Sequence, residues 1–154
     1  MSDQLTPMDD KGRASMVDVS MKPTMRRTAI ASGYFVAQKS TLDAIMQGEL
    51  PKGEALAVAR IAGIQAAKQC DSLIPLCHPL PLEFAEVVFE RTEESKLKII
   101  ATTRIHGRTG IEMEALTAVS VAALTLVDMT KAIDKELIIE GIRVESKLKE
   151  PLSS

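Results

Sequence analysis

Aromatic residues are nearly missing from this chain: 154 residues include no tryptophan, one tyrosine and three phenylalanines. The core must therefore be built from Ala, Val, Ile, Leu and Met, which pack tightly but bury little area per residue. That shortfall points to further burial between subunits. Cysteine is scarce as well. Cys70 and Cys77 make no disulfide framework, and they fit reduced thiols in a cytoplasmic protein. Charge of neither sign prevails. A formal net charge of −2 leaves no basic face of the kind that nucleic acid or a membrane surface would require. The first ten residues are acidic and hold no apolar run, so they are not expected to act as a signal peptide. No stretch reads as a membrane span. Walker loops, Gly-x-Gly-x-x-Gly turns and internal repeats are also missing.

What is present suits one domain with one core. Residues 1–25 are polar and dotted with methionine, and they read as an extended N-terminal arm. The alternating segment Met16-Val17-Asp18-Val19-Ser20 within it is able to dock on a neighbour. Residues 26–154 read as a single catalytic domain. Alternation predicts strands at Arg27–Ala37, Phe84–Arg91, Lys96–Ile105 and Glu136–Ser146, with a hairpin turn over Thr92–Ser95. Helices are predicted from Ser40 to Gly48, from Gly53 to Gln69 and from Ile111 to Ile133. In the second of these, Ala55, Ala59, Gly63 and Ala67 recur every four residues, a smooth ridge that lets another helix approach closely. Pro75, Pro79 and Pro81 make residues 71–82 an ordered extended loop. The order β-α-α-β-β-α-β predicts an α+β, ferredoxin-like two-layer sandwich: a four-stranded antiparallel sheet with helices on one face.

The long helix carries the strongest signals. Thr109-Gly110-Ile111-Glu112 fits a capping box, with Thr109 as N-cap and Glu112 reaching back to it. Glu112 thus has a structural reading beside any functional one, and Glu114 is open to plain stabilisation by the helix dipole. The run Ala115–Val127 holds no charge on any side, so it is expected to be buried all round, partly by another subunit. Asp128 and Lys131 close that run three residues apart. They read either as a solvated ion pair or as a functional pair, because an Asp in the last turns opposes the dipole. On the functional reading, burial shifts the acid/base behaviour of Asp128. Glu114 and Asp128 lie within about 40° of one helix face yet roughly 21 Å apart along the axis. A site that uses both must take one of them from a neighbouring chain, as where helices run antiparallel across a two-fold axis.

Cys77 and His78 stand side by side in an extended loop, where successive side chains point apart, so they do not form a nucleophile–base pair. With Cys70 they match no common zinc spacing, and no metal is expected. His78 is either a positioned site residue or a histidine held in the core by prolines. His106, with no such frame, reads as structural. Lys52 precedes a helix start, where backbone N–H groups favour anions; a plain surface lysine is the other reading.

The segments Met16-Val17-Asp18-Val19-Ser20, Lys52-Gly53, Ala59–Lys68, Leu73–Leu80, Gly110–Ala118 and Asp128–Ala132 together resemble the molybdenum-cofactor biosynthesis protein C family, the cyclic pyranopterin monophosphate synthases. They follow the family's order over nearly the whole chain. The resemblance implies a lyase that rearranges 3′,8-cyclo-7,8-dihydroguanosine 5′-triphosphate to cyclic pyranopterin monophosphate and releases diphosphate, with no metal or organic cofactor. It also implies a homohexamer, a trimer of dimers, with sites between subunits. Carried over by position, Asp128 looks like the acid/base, and Lys52, Lys131 and His78 like its catalytic company. Leu76, Cys77 and His78 look like a substrate-binding loop, and Met113 with Glu114 like a second binding segment. Glu112, Asp18, Arg27 and Lys147 look like further substrate contacts. One departure stands out. Glu145-Ser146-Lys147-Leu148-Lys149-Glu150-Pro151 replaces the family's glycine-rich tail, keeping Lys147 but none of the glycines. Two rival readings are a non-catalytic regulatory oligomer that binds a small molecule and a degenerate family member that only assembles.

Overall fold

Strict alternation of buried and open positions along two strands organises the molecule. A computed structural model describes residues 7–152; the first six residues of the expected arm lie outside them. Strand β1 (Met25–Val36) runs into helix α1 (Lys39–Gln47), which stops at Gly48 in the left-handed conformation, as its sequence predicts. Helix α2 (Ala55–Lys68) and a short helix α3 (Cys70–Leu73) follow, then the hairpin β2 (Phe84–Glu93) and β3 (Lys96–Gly107). Helix α4 (Glu112–Thr130) and strand β4 (Ile138–Glu150) complete the chain. The expected strands and helices are all found, with bounds shifted by a few residues; α3 was not foreseen. The result is an α+β fold with one four-stranded antiparallel sheet in the order β2-β3-β1-β4.

Leu97, Ile99, Ala101, Thr103 and Ile105 of β3 alternate inward, and β1 sets Phe35, Gly33, Ala31 and Ala29 opposite the first four. Period-two alternation buries one sheet face. Helix α4 packs against β1, β3 and β4, and α2 packs against α4 and β2. The small-residue ridge performs as its spacing predicts: Ala55, Ala59, Gly63 and Ala67 are all buried. A Cβ at Gly63 would stand 2.9 Å from the Ala118 carbonyl oxygen, so its absence sets the spacing of the two helices. Gly33 does the same between the sheet and α4, where a Cβ would meet Val119 and Ile142, each at 2.9 Å.

One expectation for α4 needs correction. Its 19 residues have the length and composition of a membrane span, although none was expected, yet just over half of the apolar window is buried inside the fold. Within the single chain Leu124 of the apolar run stays open, 58% exposed, on the face it shares with Met113 and Asp128.

Candidate active site

The site residues gather at the two ends of α4. At the first end the helix begins at Glu112, with Ile111 as N-cap and no side chain capping it, so the capping box expected from Thr109 does not form. The Thr103 hydroxyl donates to the Ile111 carbonyl at 3.1 Å. Thr109 and Gly110 instead line a cleft. Glu112 turns toward Lys147, whose Nζ lies 3.8 Å from Oε1, while the buried Glu112 Oε2 has no hydrogen-bond partner among the described residues.

The cleft has two lobes. One, of about 360 Å³, is edged by Arg27, Glu112, Lys147, Lys149 and Lys22. Four cations against one carboxylate make it an anion pocket. Arg27 is nearly buried and held rigid: Nε donates to the Gly107 carbonyl at 3.0 Å and an NH2 group donates to the Arg108 carbonyl at 3.3 Å. Lys147 rides on β4, because the stretch that replaces a glycine-rich tail is ordered strand. The other lobe, of about 270 Å³, has apolar walls from Leu76, Met113, Val17 and Val19, with Cys77 and His78 between them. Lys22, Thr109, Gly110 and Glu112 belong to both lobes, so the cleft is continuous.

His78 Nε2 lies 2.6 Å from the Val17 carbonyl oxygen. A carbonyl only accepts, so Nε2 carries the proton and ties the N-terminal arm to the loop. Asp18 does not reach the cleft lining. It is exposed, its carboxylate accepts from the Ser20 hydroxyl and backbone N–H, and those bonds hold its carboxyl below the usual carboxylate range.

Glu114 points away from the cleft, into the fold, and is only 2% exposed. Burial pushes its carboxyl above the usual range against the opposing pull of its own backbone N–H. Cys77 Sγ donates to Glu114 Oε1 at 3.5 Å, and Oε2 is buried with no partner among the described residues. Cys70 Sγ lies 3.8 Å from Cys77 Sγ and 3.4 Å from the Thr117 hydroxyl. Burial, then the charge of Glu114, drives the Cys77 thiol far above its ordinary pKa; burial also raises Cys70. Neither thiol is an activated nucleophile.

At the far end, Asp128 sits between two lysines. Lys131 Nζ donates to Oδ1 at 2.7 Å, and Lys52 Nζ donates to Oδ2 at 3.4 Å and to the Asp128 carbonyl at 3.2 Å. The expected burial shift of Asp128 is overturned. Its side chain is 57% exposed, and the Lys131 bond, followed by that from Lys52, holds the carboxyl below the usual range. The buried acid of α4 is Glu114.

Comparison with known proteins decides the family. The profile of the MoaC family matches residues 16–149. The chain belongs to the MoaC family. A cyclic pyranopterin monophosphate synthase of Herpetosiphon aurantiacus is 54% identical over 144 residues, 93% of this chain and 88% of the relative. One from Chloroflexus aggregans is 55% identical over 146 residues, 94% of this chain and 88% of that protein. Cyclic pyranopterin monophosphate synthase 1 of Mycobacterium tuberculosis is 53% identical over 143 residues, covering 93% and 84%. As a MoaC family member, the chain brings together Leu76, Cys77, His78, Met113, Glu112, Arg27 and Lys147 at one end of α4, and Lys52, Asp128 and Lys131 at the other. Sequence reasoning missed Lys22 and left Lys149 among scattered basic residues whose convergence only the fold could give. Lysines on an arm and an edge strand look like surface charge until the fold folds them over one helix start.

Proposed function

We propose that this chain is a cyclic pyranopterin monophosphate synthase, which converts 3′,8-cyclo-7,8-dihydroguanosine 5′-triphosphate to cyclic pyranopterin monophosphate and diphosphate in molybdenum cofactor biosynthesis. The observation that carries the proposal is the match to synthases at about half identity over more than nine-tenths of the chain, with Asp128 held between Lys52 and Lys131. The chemistry suits those groups. Ring opening and reclosure need proton transfers, for which an ionised carboxylate flanked by two ammonium groups is equipped. Diphosphate leaving from a triphosphate needs positive charge on the leaving oxygens, and the cationic lobe with Arg27, Lys147 and Lys22 supplies it. The apolar lobe with Leu76 and Met113 fits the ring system, His78 keeps the arm closed over it, and Glu112 offers a free oxygen to ring N–H donors.

One small ligand does not reach both ends of α4 in one chain, since 14 residues of helix rise about 21 Å. The working site therefore joins the cleft of one subunit to the Asp128 cluster of another, in a homohexamer arranged as a trimer of dimers. The uncovered faces support this: Ile61 and Val58 of α2 and Leu124 of α4 are exposed apolar side chains on a chain already poor in apolar bulk. The sheet order and one-sided alternation support a ferredoxin-like sandwich over residues 26–154, with residues 1–25 as an arm and the helices on the buried face. The protein acts in the cytoplasm, without cofactor, nucleic acid or membrane. The test is formation of pterin and diphosphate from the cyclised triphosphate. Wild type turns over and Asp128→Ala does not; an inactive wild type or a fully active variant would overturn the reading.

A further inference from the structure

Loop and helix, seven and 37 residues apart in pairing, bring three soft and hard donor atoms to one point: Cys70 Sγ, Cys77 Sγ and a Glu114 carboxylate oxygen all lie within 4.8 Å of one another. The spacing along the chain matches no common zinc pattern because the third donor arrives from α4. A tetrahedral zinc ion with Zn–S near 2.3 Å and Zn–O near 2.0–2.2 Å sets its two sulfurs about 3.8 Å apart and sulfur from oxygen about 3.5 Å. The two sulfurs here are 3.8 Å apart, and Cys77 Sγ is 3.5 Å from Glu114 Oε1. The third edge, from Cys70 Sγ to the Glu114 carboxylate, is within 4.8 Å.

Energetics point the same way. Glu114 is almost wholly buried, with Oε2 lacking a partner among the described residues, a costly arrangement for a carboxylate facing two thiols. Burial penalises each of the three as an anion, and the charge of Glu114 further penalises both thiols. A dication reverses every one of those penalties. Thr117, whose hydroxyl lies 3.4 Å from Cys70 Sγ, would orient that thiolate as a neighbour of the site. Cys77 is also part of the cleft wall, which gives an ion a way in and a fourth coordination position open to solvent.

We propose that Cys70, Cys77 and Glu114 form a three-donor site for a thiophilic divalent cation of the zinc class, separate from the metal-free chemistry of the family. Two S–H bonds break, two metal–sulfur bonds form and two protons leave to water; no electron is transferred. Thiolate donors favour Zn2+, Co2+ or Cd2+ over Mg2+ and Ca2+. Binding draws in Cys77, part of the cleft wall, so an occupied site stops turnover; this consequence alone rests on the function proposed above.

The probe is Co2+ added to the reduced, metal-stripped protein in its native assembly. One Co2+ per chain is expected, with a near-ultraviolet thiolate-to-cobalt band, release of two protons and displacement by Zn2+. Cys70→Ser loses the band. Cys77→Ser, at a half-buried position, gives the same loss and serves if the first variant does not fold. No thiolate band on folded wild type at saturating Co2+, or a band that survives both substitutions, would overturn the site. In turnover assays, equimolar Zn2+ silences wild type but not Cys70→Ser. Binding without inhibition would overturn the regulatory consequence, and a wild type inactive without any metal would count against the proposed activity while leaving the cobalt result intact.

Discussion

Asp128 closes α4 as an exposed acid held between Lys131 and Lys52. A lone acid closing an apolar helix is a visible oddity, and the ion pair with Lys131 follows from helix spacing alone. That Lys52 joins from 76 residues away, and that the cluster is open to solvent, needed the fold. Because Asp128 is exposed, Asp128→Asn should leave stability within about 0.5 kcal/mol of wild type while lowering turnover by roughly 10²–10⁴-fold. Melting curves and assays on the same preparation separate the two. For Glu114 the first-turn position left dipole stabilisation and function both open, and the structure buries it beside Cys70 and Cys77. Asp134 gave no signal at all. It is buried and accepts from the Gln38 N–H at 2.9 Å, the Thr41 hydroxyl at 2.8 Å and the Glu136 N–H at 2.8 Å, joining the turn after α4 to the start of α1. Burial raises its pKa, but those three donors together outweigh it and leave the carboxyl below the usual range. A folded pKa below the unfolded one gives stability that is complete above about pH 4 and is lost as pH falls through the folded value. Asp134→Asn should therefore cost about 2–3 kcal/mol near neutral pH, and the difference from wild type should shrink in acid. A melting-temperature gap that does not change with pH would contradict this role.

At the scale of elements, the repeating small residues of α2 were readable because helix packing demands them at a fixed period. Gly63 is the sharpest case: a Cβ there meets the Ala118 carbonyl oxygen at 2.9 Å and Val87 Cγ2 at 3.1 Å. Overpacking costs about 1–3 kcal/mol, against roughly 1 kcal/mol of helix propensity gained by Gly63→Ala. The variant should melt lower by a few degrees, and a higher melting point would show that the helices have room to spare. Element ends were harder to read. Thr109 and Glu112 have the spacing of a capping box, yet Thr109 lines the cleft and Glu112 faces Lys147, so a local preference yields to the demands of a site. The anion lobe was readable only in part, since Lys22 and Lys149 converge with Arg27 through the pairing of β1 with β4 and the return of the arm.

For the whole molecule, the shortage of aromatic residues and the apolar length of α4 both pointed beyond one chain, and the exposed Leu124, Ile61 and Val58 are where that need remains unmet. Sedimentation should give six times the 16.7 kDa chain mass, and Leu124→Lys should lower it; a monomeric wild type would remove the shared site. Strand order could be expected from element order because few topologies connect four strands and their helices without crossing. Which chain meets which could not, because no local pattern encodes a partner's position. The most direct measurement mixes two silent variants, Asp128→Ala and His78→Ala, in one assembly and follows pterin formation. A site built from the cleft of one subunit and the Asp128 cluster of another predicts recovery to about a quarter of wild-type turnover, the fraction of intact sites under random pairing. No recovery in mixed assemblies, with each variant folded and the wild type active, would contradict it.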